Sequence, residues 1–304
     1  MTPLHRLAAV LVAVVWGVNF VVIELGMTDV PPLLFVAVRF LAVAFPAVLF
    51  VPRPQARWQV VVAIGAFTSL GQFGLLYTAM HLGMPAGIAA LVLQAQVIFT
   101  VLLAALVLGE RPSARQWVGV AVGAAGLGVV GLGRAEHTPA VAVLITLAAA
   151  LSWGIGNVVT RAAKITAGLS VVVWSALVVP VPTFALALAL DGPDAVGAAL
   201  AGFGWAAWLS TAFTVIGSTL FAYTVWYGLL ARYRAAEVAP YVLLVPPVGI
   251  VAAAIVLGER PTAAEWVGAA TVLIGVAVAT IGTSTRTKPP ARGPHERDVA
   301  DTPA

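Results

Sequence analysis

The sequence predicts an all-helical integral membrane protein with ten transmembrane helices, arranged as two inverted five-helix repeats with both termini in the cytoplasm. Three observations predict it: the composition, the spacing of the apolar runs, and a motif that occurs twice. The 304 residues are 61% hydrophobic and 9% charged, whereas about a quarter of a soluble domain is charged. The chain has no cysteine, which excludes disulfides, iron–sulfur clusters and thiol nucleophiles.

Ten apolar runs account for most of the chain. Each is near the ~20 residues that a helix needs to cross a ~30 Å hydrocarbon core. They lie at 7–25, 32–51, 58–79, 85–108, 115–132, 141–159, 171–190, 203–230, 238–257 and 264–281. The first run is too long for the core of a signal peptide, so we expect it to stay as the first helix.

The basic residues agree with ten spans. With the N-terminus inside, 13 of the 16 Lys and Arg residues fall in inner loops or the C-terminal tail. Arg134 and Arg260 fall outside, and Arg39 lies within the second span. Since cytoplasmic loops carry an excess of Lys and Arg, this distribution predicts cytoplasmic termini.

A repeated motif divides the chain into two units. Leu-Gly-Glu-Arg-Pro at 108–112 returns at 257–261, and Trp-Gly followed by an asparagine occurs at 16–19 and 153–157. Five spans per unit is an odd number, so the second unit must cross the membrane upside down, as in many transporters. The predicted units are 4–136 and 137–282, followed by a disordered cytoplasmic tail at 283–304. We interpret the Gly-Glu-Arg-Pro segments as structural turns because both sit at span ends.

These motifs together resemble the drug/metabolite transporter superfamily, in its EamA branch. The resemblance covers residues 4–282 and is carried by the strings at 15–20, 31–40, 83–87 and 91–96 and by the paired turns. The strings around 83–96 and 243–249 are most similar to the amino-acid metabolite exporters of the branch. The resemblance implies an inner-membrane exporter of cysteine-pathway metabolites such as O-acetylserine and cysteine.

Arg39 is the only unambiguous charge deep in a span. A charge near the bilayer centre costs about 2.5–3.5 kcal/mol even on lenient scales, so its side chain should face protein or water. One interpretation is a clamp for a substrate carboxylate, which guanidinium binds bidentately. The other is a structural pair with Glu24 or hydrogen bonds to the carbonyl groups of a neighbouring helix. The equivalent position of the second unit is Ser175, which favours the functional interpretation.

Two tryptophan–asparagine pairs lie well inside their spans. Trp16 and Asn19 are three residues apart and Trp153 and Asn157 are four apart, so each pair shares one helical face. They could supply an aromatic wall and an amide donor for a small zwitterion in a central cavity. The alternative is hydrogen bonding between helices.

The remaining candidates differ between the two units. Gln72 and Gln94 supply amides from the first unit, and Trp226 and Tyr241 supply aromatic rings from the second. Gln96 is two residues from Gln94, so we expect these two side chains to point in nearly opposite directions and not to share a cavity. An amphipathic pocket between the units is the functional hypothesis. Ordinary aromatic packing is the alternative for each ring.

The sequence offers no sign of catalysis. There is no P-loop, no cluster with metal-ligand spacing and no cofactor motif. The G-x-G-x-x-G match at 126–131 lies within a span and predicts close helix packing instead of dinucleotide binding. Glu24 and Glu237 are the possible proton-coupling residues, although both lie near span ends.

The leading hypothesis is therefore an exporter of small amino-acid-like metabolites that works by alternating access. The alternatives are a transporter of the same fold for another solute or drug, and an intramembrane enzyme. The expected partners are a small amino-acid-like metabolite and the lipid bilayer, with no nucleic acid. The chain is expected to act as a monomer or a homodimer.

Overall fold

A computed structural model describes residues 1–133, 138–165 and 168–280, and the secondary structure in these ranges is helical throughout. Ten helices are long and apolar enough to cross a membrane, which confirms the ten predicted spans. They are α1 (Pro3–Gly26), α2 (Pro32–Leu49), α3 (Trp58–His81), α4 (Ala86–Leu108), α5 (Ala114–Gly133), α6 (Ala140–Ala162), α7 (Leu169–Leu190), α8 (Trp205–Arg232), α9 (Ala239–Val256) and α10 (Ala263–Thr280). Short helices at Pro193–Ala201 and Ala235–Val238 precede α8 and α9. The predicted tail at 283–304 lies outside the described residues.

Several spans are not continuous α-helices. α3 contains the π-helical segment Gly65–Gly71, and α8 contains Phe213–Phe221. α4 is interrupted between Ala86–Val92 and Ala95–Leu108. α9 starts as a 3₁₀ helix, Ala239–Leu244, and becomes α-helical at Val245–Val256. The other interruptions divide α2 into Pro32–Ala44 and Ala47–Leu49, and α7 into Leu169–Ala176 and Pro180–Leu190.

The prolines of α9 explain its change of helix type. Pro246 and Pro247 fall in the first turn of Val245–Val256, where a missing N–H removes no helical hydrogen bond. The proline pair therefore lies where α9 changes from a 3₁₀ helix to an α-helix.

Helices α5 and α10 begin with the same local structure. Ser113 and Gln116 exchange hydrogen bonds between side chain and backbone, and Thr262 and Glu265 do the same. This reciprocal pair is a capping box, which satisfies the free N–H groups of a first turn. The glycine of each preceding Gly-Glu-Arg-Pro segment has a left-handed φ, 67° in the first and 70° in the second. Both segments are thus structural turns, as predicted.

Glycines let α5 and α10 pack backbone to backbone. A Cβ atom on Gly119 would lie 2.6 Å from the Gly275 carbonyl oxygen, and one on Gly126 would lie 2.9 Å from that of Gly268. At these two positions the predicted small-residue face packs against α10, whereas a Cβ on Gly128 or Gly131 would have no atom within 4 Å.

Two further close crossings surround the middle of the bundle. α1 meets α9 where a Cβ on Gly17 would lie 2.6 Å from Val248 Cγ1. α6 meets α4 where a Cβ on Gly154 would lie 2.9 Å from Phe99 Cβ. These crossings hold α1 against α9 and α6 against α4 around the centre of the bundle.

The two ends of the bundle can be told apart by contacts of the N-terminus. His5 Nδ1 lies 2.6 Å from Tyr233 Oη, and the Met1 ammonium lies 3.3 Å from Glu237 Oε2. The end of α8 and the start of α9 thus share one side of the bundle with the start of α1. We call this the N-terminal side, and the other the opposite side.

Candidate functional site

A cavity of about 420 Å³ lies in the middle of the bundle. This volume is within the ~300–1,000 Å³ range of small-molecule sites. Its described lining comes from α1 to α4 and from α6 to α9, and none comes from α5 or α10. Aromatic, aliphatic and uncharged polar side chains dominate this lining, and Arg39 is the one charged residue among them.

Eight of the nine predicted substrate-binding residues line this one cavity. They are Trp16, Asn19, Arg39, Gln72, Gln94, Trp153, Asn157 and Trp226. Residues far apart in the sequence are thus brought together.

The lining of the cavity reaches positions near helix ends on the N-terminal side. Its lining includes Thr160, near the end of α6, and Val171, near the start of α7. It also includes Tyr227, near the end of α8, and Val242, near the start of α9. All four positions lie on the N-terminal side, because successive spans run in opposite directions.

Arg39 is held by aromatic residues. Its Nη1 donates to the Tyr77 hydroxyl at 2.6 Å, and its Cζ lies 4.4 Å from the centre of the Phe73 ring. The side chain is 2% exposed, and Nε has no hydrogen-bond partner. In the described part of the chain no carboxylate forms an ion pair with it, so the alternative pair with Glu24 is not made. The result is a buried cation with unused hydrogen-bonding capacity.

Aromatic rings of α1 and α8 form one wall of the cavity. Trp16 Nε1 donates to the Ser218 carbonyl oxygen at 2.9 Å, which lies in the π-helical segment of α8. The Trp16 ring centre is 5.2 Å from that of Tyr223 and 5.4 Å from that of Trp226. Tyr223 and Tyr227 stack at 5.8 Å. The hydrogen bond fixes the orientation of the Trp16 ring against this wall.

The two asparagines have different surroundings. Asn157 Nδ2 donates to Gln96 Oε1 at 2.8 Å and to Thr100 Oγ1 at 3.2 Å, so Asn157 links α6 to α4. Asn19 is 6% exposed, and its Oδ1 accepts no hydrogen bond from the described residues. The interhelical interpretation therefore describes Asn157 and fails for the Asn19 carbonyl.

The expectation that Gln94 and Gln96 point apart is wrong, because both line the cavity. The backbone turns more tightly there: Gln96 N bonds to Leu93 O, and Val97 N bonds to Gln94 O, both three residues back. With three residues per turn, side chains two apart diverge by about 120°, compared with about 160° in an α-helix. Both amides can then reach the same space.

Tyr241 is the predicted site residue that the cavity lining does not include; its neighbour Val242 lines the cavity instead. Tyr241 packs against an apolar cluster that contains Trp226 and Val238. It lies in the 3₁₀ segment of α9, where adjacent side chains diverge by about 120°.

Sequence reasoning missed the small polar residues of the π-helical segments. Ser69 and Ser218 line the cavity, together with Thr68 and Thr219. Ser218 lies 149 residues after Ser69, the same interval that separates the two Gly-Glu-Arg-Pro turns. Two serines at equivalent positions of apolar spans are a signal that aligning the units would have found. π-helical turns often occur at functional sites.

No group of three or more His, Cys, Asp or Glu side chains in the described ranges is placed to hold a metal ion.

Comparison with known proteins agrees with this architecture. The model of the EamA-like transporter family matches residues 5–132 and 140–281. The chain belongs to this family. A solved crystal structure superposes on it with a TM-score of 0.60, covering 92% of this chain and 97% of that chain. At 23% identity that likeness concerns the fold alone.

Several relatives are named for export. The chain is 39% identical to a probable amino-acid metabolite efflux pump of Escherichia coli strain K12, over 90% of this chain and 94% of that protein. It is 41% identical to a protein of the same description in Salmonella typhimurium, with the same coverage. It is 31% identical to a probable terminal-alkyne amino-acid exporter of Streptantibioticus cattleyicolor, over 88% and 91%.

The family and the ten spans together make the chain a multi-pass protein of the cell inner membrane. The names of the EamA family and of these relatives indicate a transporter and not an enzyme.

Proposed function

We propose that this EamA-family protein exports small amino-acid metabolites of the cysteine or O-acetylserine type by alternating access between two inverted repeats. The observation that carries the proposal is Arg39, a buried guanidinium on the wall of a central cavity without a described carboxylate partner. Three relatives carry names that specify amino-acid compounds. Amino acids bring the carboxylate that such a cation lacks.

The charge of the cavity supports a substrate with a carboxylate. A guanidinium at membrane depth is costly, and a carboxylate can form two parallel hydrogen bonds with it. A cationic drug would meet the like charge of Arg39, and the described lining offers it no carboxylate. An intramembrane enzyme would need clustered acids or histidines, which the described lining also lacks. These observations favour the metabolite exporter over both alternatives.

Paired contacts support the proposed repeats, 4–136 and 137–282. The contact of Gly17 with Val248 has a counterpart in Gly154 with Phe99. Gly154 lies 137 residues after Gly17, and Val248 lies 149 residues after Phe99, which are intervals found between the repeated motifs. Two copies related in this way, with both termini cytoplasmic as the basic residues predict, could rock against each other around a central site.

The test is uptake of labelled cysteine and O-acetylserine into everted membrane vesicles. We expect saturable uptake by the wild type and a loss of about tenfold or more in Arg39→Ala, because a hydrogen-bonded charge is removed. Arg57→Ala, an exposed arginine outside the cavity, is the matched control and should transport normally. Immunoblots must show equal protein levels.

Two outcomes would contradict the proposal. Normal transport by Arg39→Ala would overturn the carboxylate clamp. No uptake of either compound by well-folded wild-type protein would overturn the substrate assignment, and a wider screen of carboxylates would follow.

A further inference from the structure

The side-chain carbonyl of Asn19, a residue that lines the cavity, is buried without a hydrogen-bond partner among the described residues. Its side chain is 6% exposed, and Oδ1 accepts no hydrogen bond from the described residues. Burying such a carbonyl without a partner costs about 1–3 kcal/mol. Buried polar groups in proteins are rarely left in this state, so each exception calls for an explanation.

The repeat supplies a comparison for Asn19. Its counterpart Asn157 satisfies its amide with two polar side chains of α4. The positions 149 residues after those partners are Val245 and Gly249 in α9, the helix against which α1 packs. Neither side chain can form a hydrogen bond. Asn19 therefore packs against a helix that has no hydrogen-bonding side chains at the positions where α4 supplies partners to Asn157.

The surroundings of Asn19 suit a cation. Trp16, one turn earlier on the same face, presents its ring to the cavity beside Tyr223. Aromatic faces attract ammonium groups, and an ammonium has N–H donors but no acceptor. An amide carbonyl of a residue that lines the same cavity as two aromatic rings thus matches a primary ammonium group in both hydrogen bonding and electrostatics.

We propose that Asn19 binds the amino group of the substrate while Arg39 binds its carboxylate, so that the site selects zwitterionic α-amino acids. This assignment rests on the proposed function and specifies which molecules it serves. Two residues of the cavity lining each carry a buried atom without a hydrogen-bond partner among the described residues, the Arg39 Nε donor and the Asn19 Oδ1 acceptor. A zwitterionic amino acid is the small molecule that supplies the missing partner of each.

Three thiol compounds separate the two ends of such a substrate. Cysteine has both charged groups, 3-mercaptopropionate lacks the amino group, and cysteamine lacks the carboxylate. The full-length protein in proteoliposomes would exchange internal cysteine for labelled external cysteine, with each compound as a competitor. For the wild type we expect half-inhibition by either truncated compound to need at least about tenfold more than cysteine.

The variant Asn19→Ala should weaken inhibition by cysteine about tenfold and leave inhibition by 3-mercaptopropionate unchanged. Asn157→Ala is the matched control, since it removes the counterpart amide that is bonded within the protein. It should change the half-inhibiting concentrations of both compounds by the same factor. If Asn19→Ala does not fold, Asn19→Asp keeps the size of the side chain. Its added negative charge should weaken inhibition by the anionic 3-mercaptopropionate severalfold. It should not weaken inhibition by cysteine, which has an ammonium group.

The assignment would be overturned if Asn19→Ala weakened inhibition by cysteine and by 3-mercaptopropionate equally, or changed neither. For Asn19→Asp, the contradicting result is that the ratio of the half-inhibiting concentrations of cysteine and 3-mercaptopropionate is the same as in the wild type. A wild-type protein that exchanges no cysteine at all contradicts the proposed function instead. The two failures are therefore distinguishable.

Discussion

Glu24 and Glu237 are the two acidic residues that the sequence offers for proton coupling, and their surroundings differ. Glu24 is half-buried near the end of α1, and its Oε2 has no hydrogen-bond partner among the described residues. Glu237 is exposed and pairs with the N-terminal ammonium. A carboxylate without a fixed partner can take up and release a proton without breaking an ion pair. This contrast favours Glu24 as the coupling residue.

We therefore expect Glu24→Gln to abolish stimulation of cysteine transport by an imposed pH gradient. Exchange of cysteine across the membrane without a gradient should continue, because the cavity does not include Glu24. Glu237→Gln is the control and should keep gradient-driven transport. The measurement compares both modes in proteoliposomes. Full gradient-driven transport by both variants would remove proton coupling from these residues.

At the scale of helices, α5 and α10 form a packed scaffold beside the helices that line the cavity. Neither contributes to the described lining of the cavity, and their glycines bring the two backbones into contact. Such packing leaves no room for added atoms. Mutations in this interface should therefore act on stability and not on substrate binding.

Gly126→Ala should lower the free energy of unfolding by about 1–3 kcal/mol, since overpacking forces the backbones apart. The added Cβ would lie 2.6 Å from the Val272 backbone nitrogen. Gly128→Ala on the same helix is the control, because no atom lies within 4 Å of its added Cβ. It should be neutral or slightly stabilising. Thermal unfolding in detergent measures both, and the KM for cysteine should stay unchanged. Equal stability of the two variants would contradict the scaffold.

The sequence predicted the spans well because length and hydropathy determine them, and all ten match. Eight of the nine site residues that it selected line the cavity, since a buried polar or tryptophan residue in an apolar helix is conspicuous. It could not predict helix irregularity. The tight turn at Leu93–Gln94 brings Gln94 and Gln96 together, and in the 3₁₀ start of α9 it is Val242 and not Tyr241 that lines the cavity. A reading based on one ideal helix period misplaces side chains at such breaks.

At the scale of the molecule, the two ends of the bundle carry different contacts. On the opposite side, the Glu259 carboxylate accepts from Ala86 N–H at 2.8 Å and Gly87 N–H at 3.3 Å. These bonds join α4 to the turn after α9. On the N-terminal side, Glu110 of the equivalent turn pairs with Arg161 at 2.9 Å, and the lining of the cavity reaches positions near helix ends on this side. Under the proposed alternating access, the structure would correspond to the state that is closed on the opposite side.

In the proposed alternating access, opening the opposite side would break the bonds of Glu259, so their removal should favour the other state. Hydrogen bonds to a charged group contribute about 1.5–3 kcal/mol, which changes an equilibrium tenfold or more.

The chain has no cysteine, so Ala90→Cys provides a single thiol on the cavity wall at a position that is 2% exposed. Glu259→Ala should raise its labelling by a membrane-impermeant maleimide about tenfold, when the reagent is added from the side opposite the N-terminus. Glu110→Ala, the same change in the equivalent turn, should not raise it. Equal labelling in the two backgrounds would mean that Glu259 does not hold this end closed.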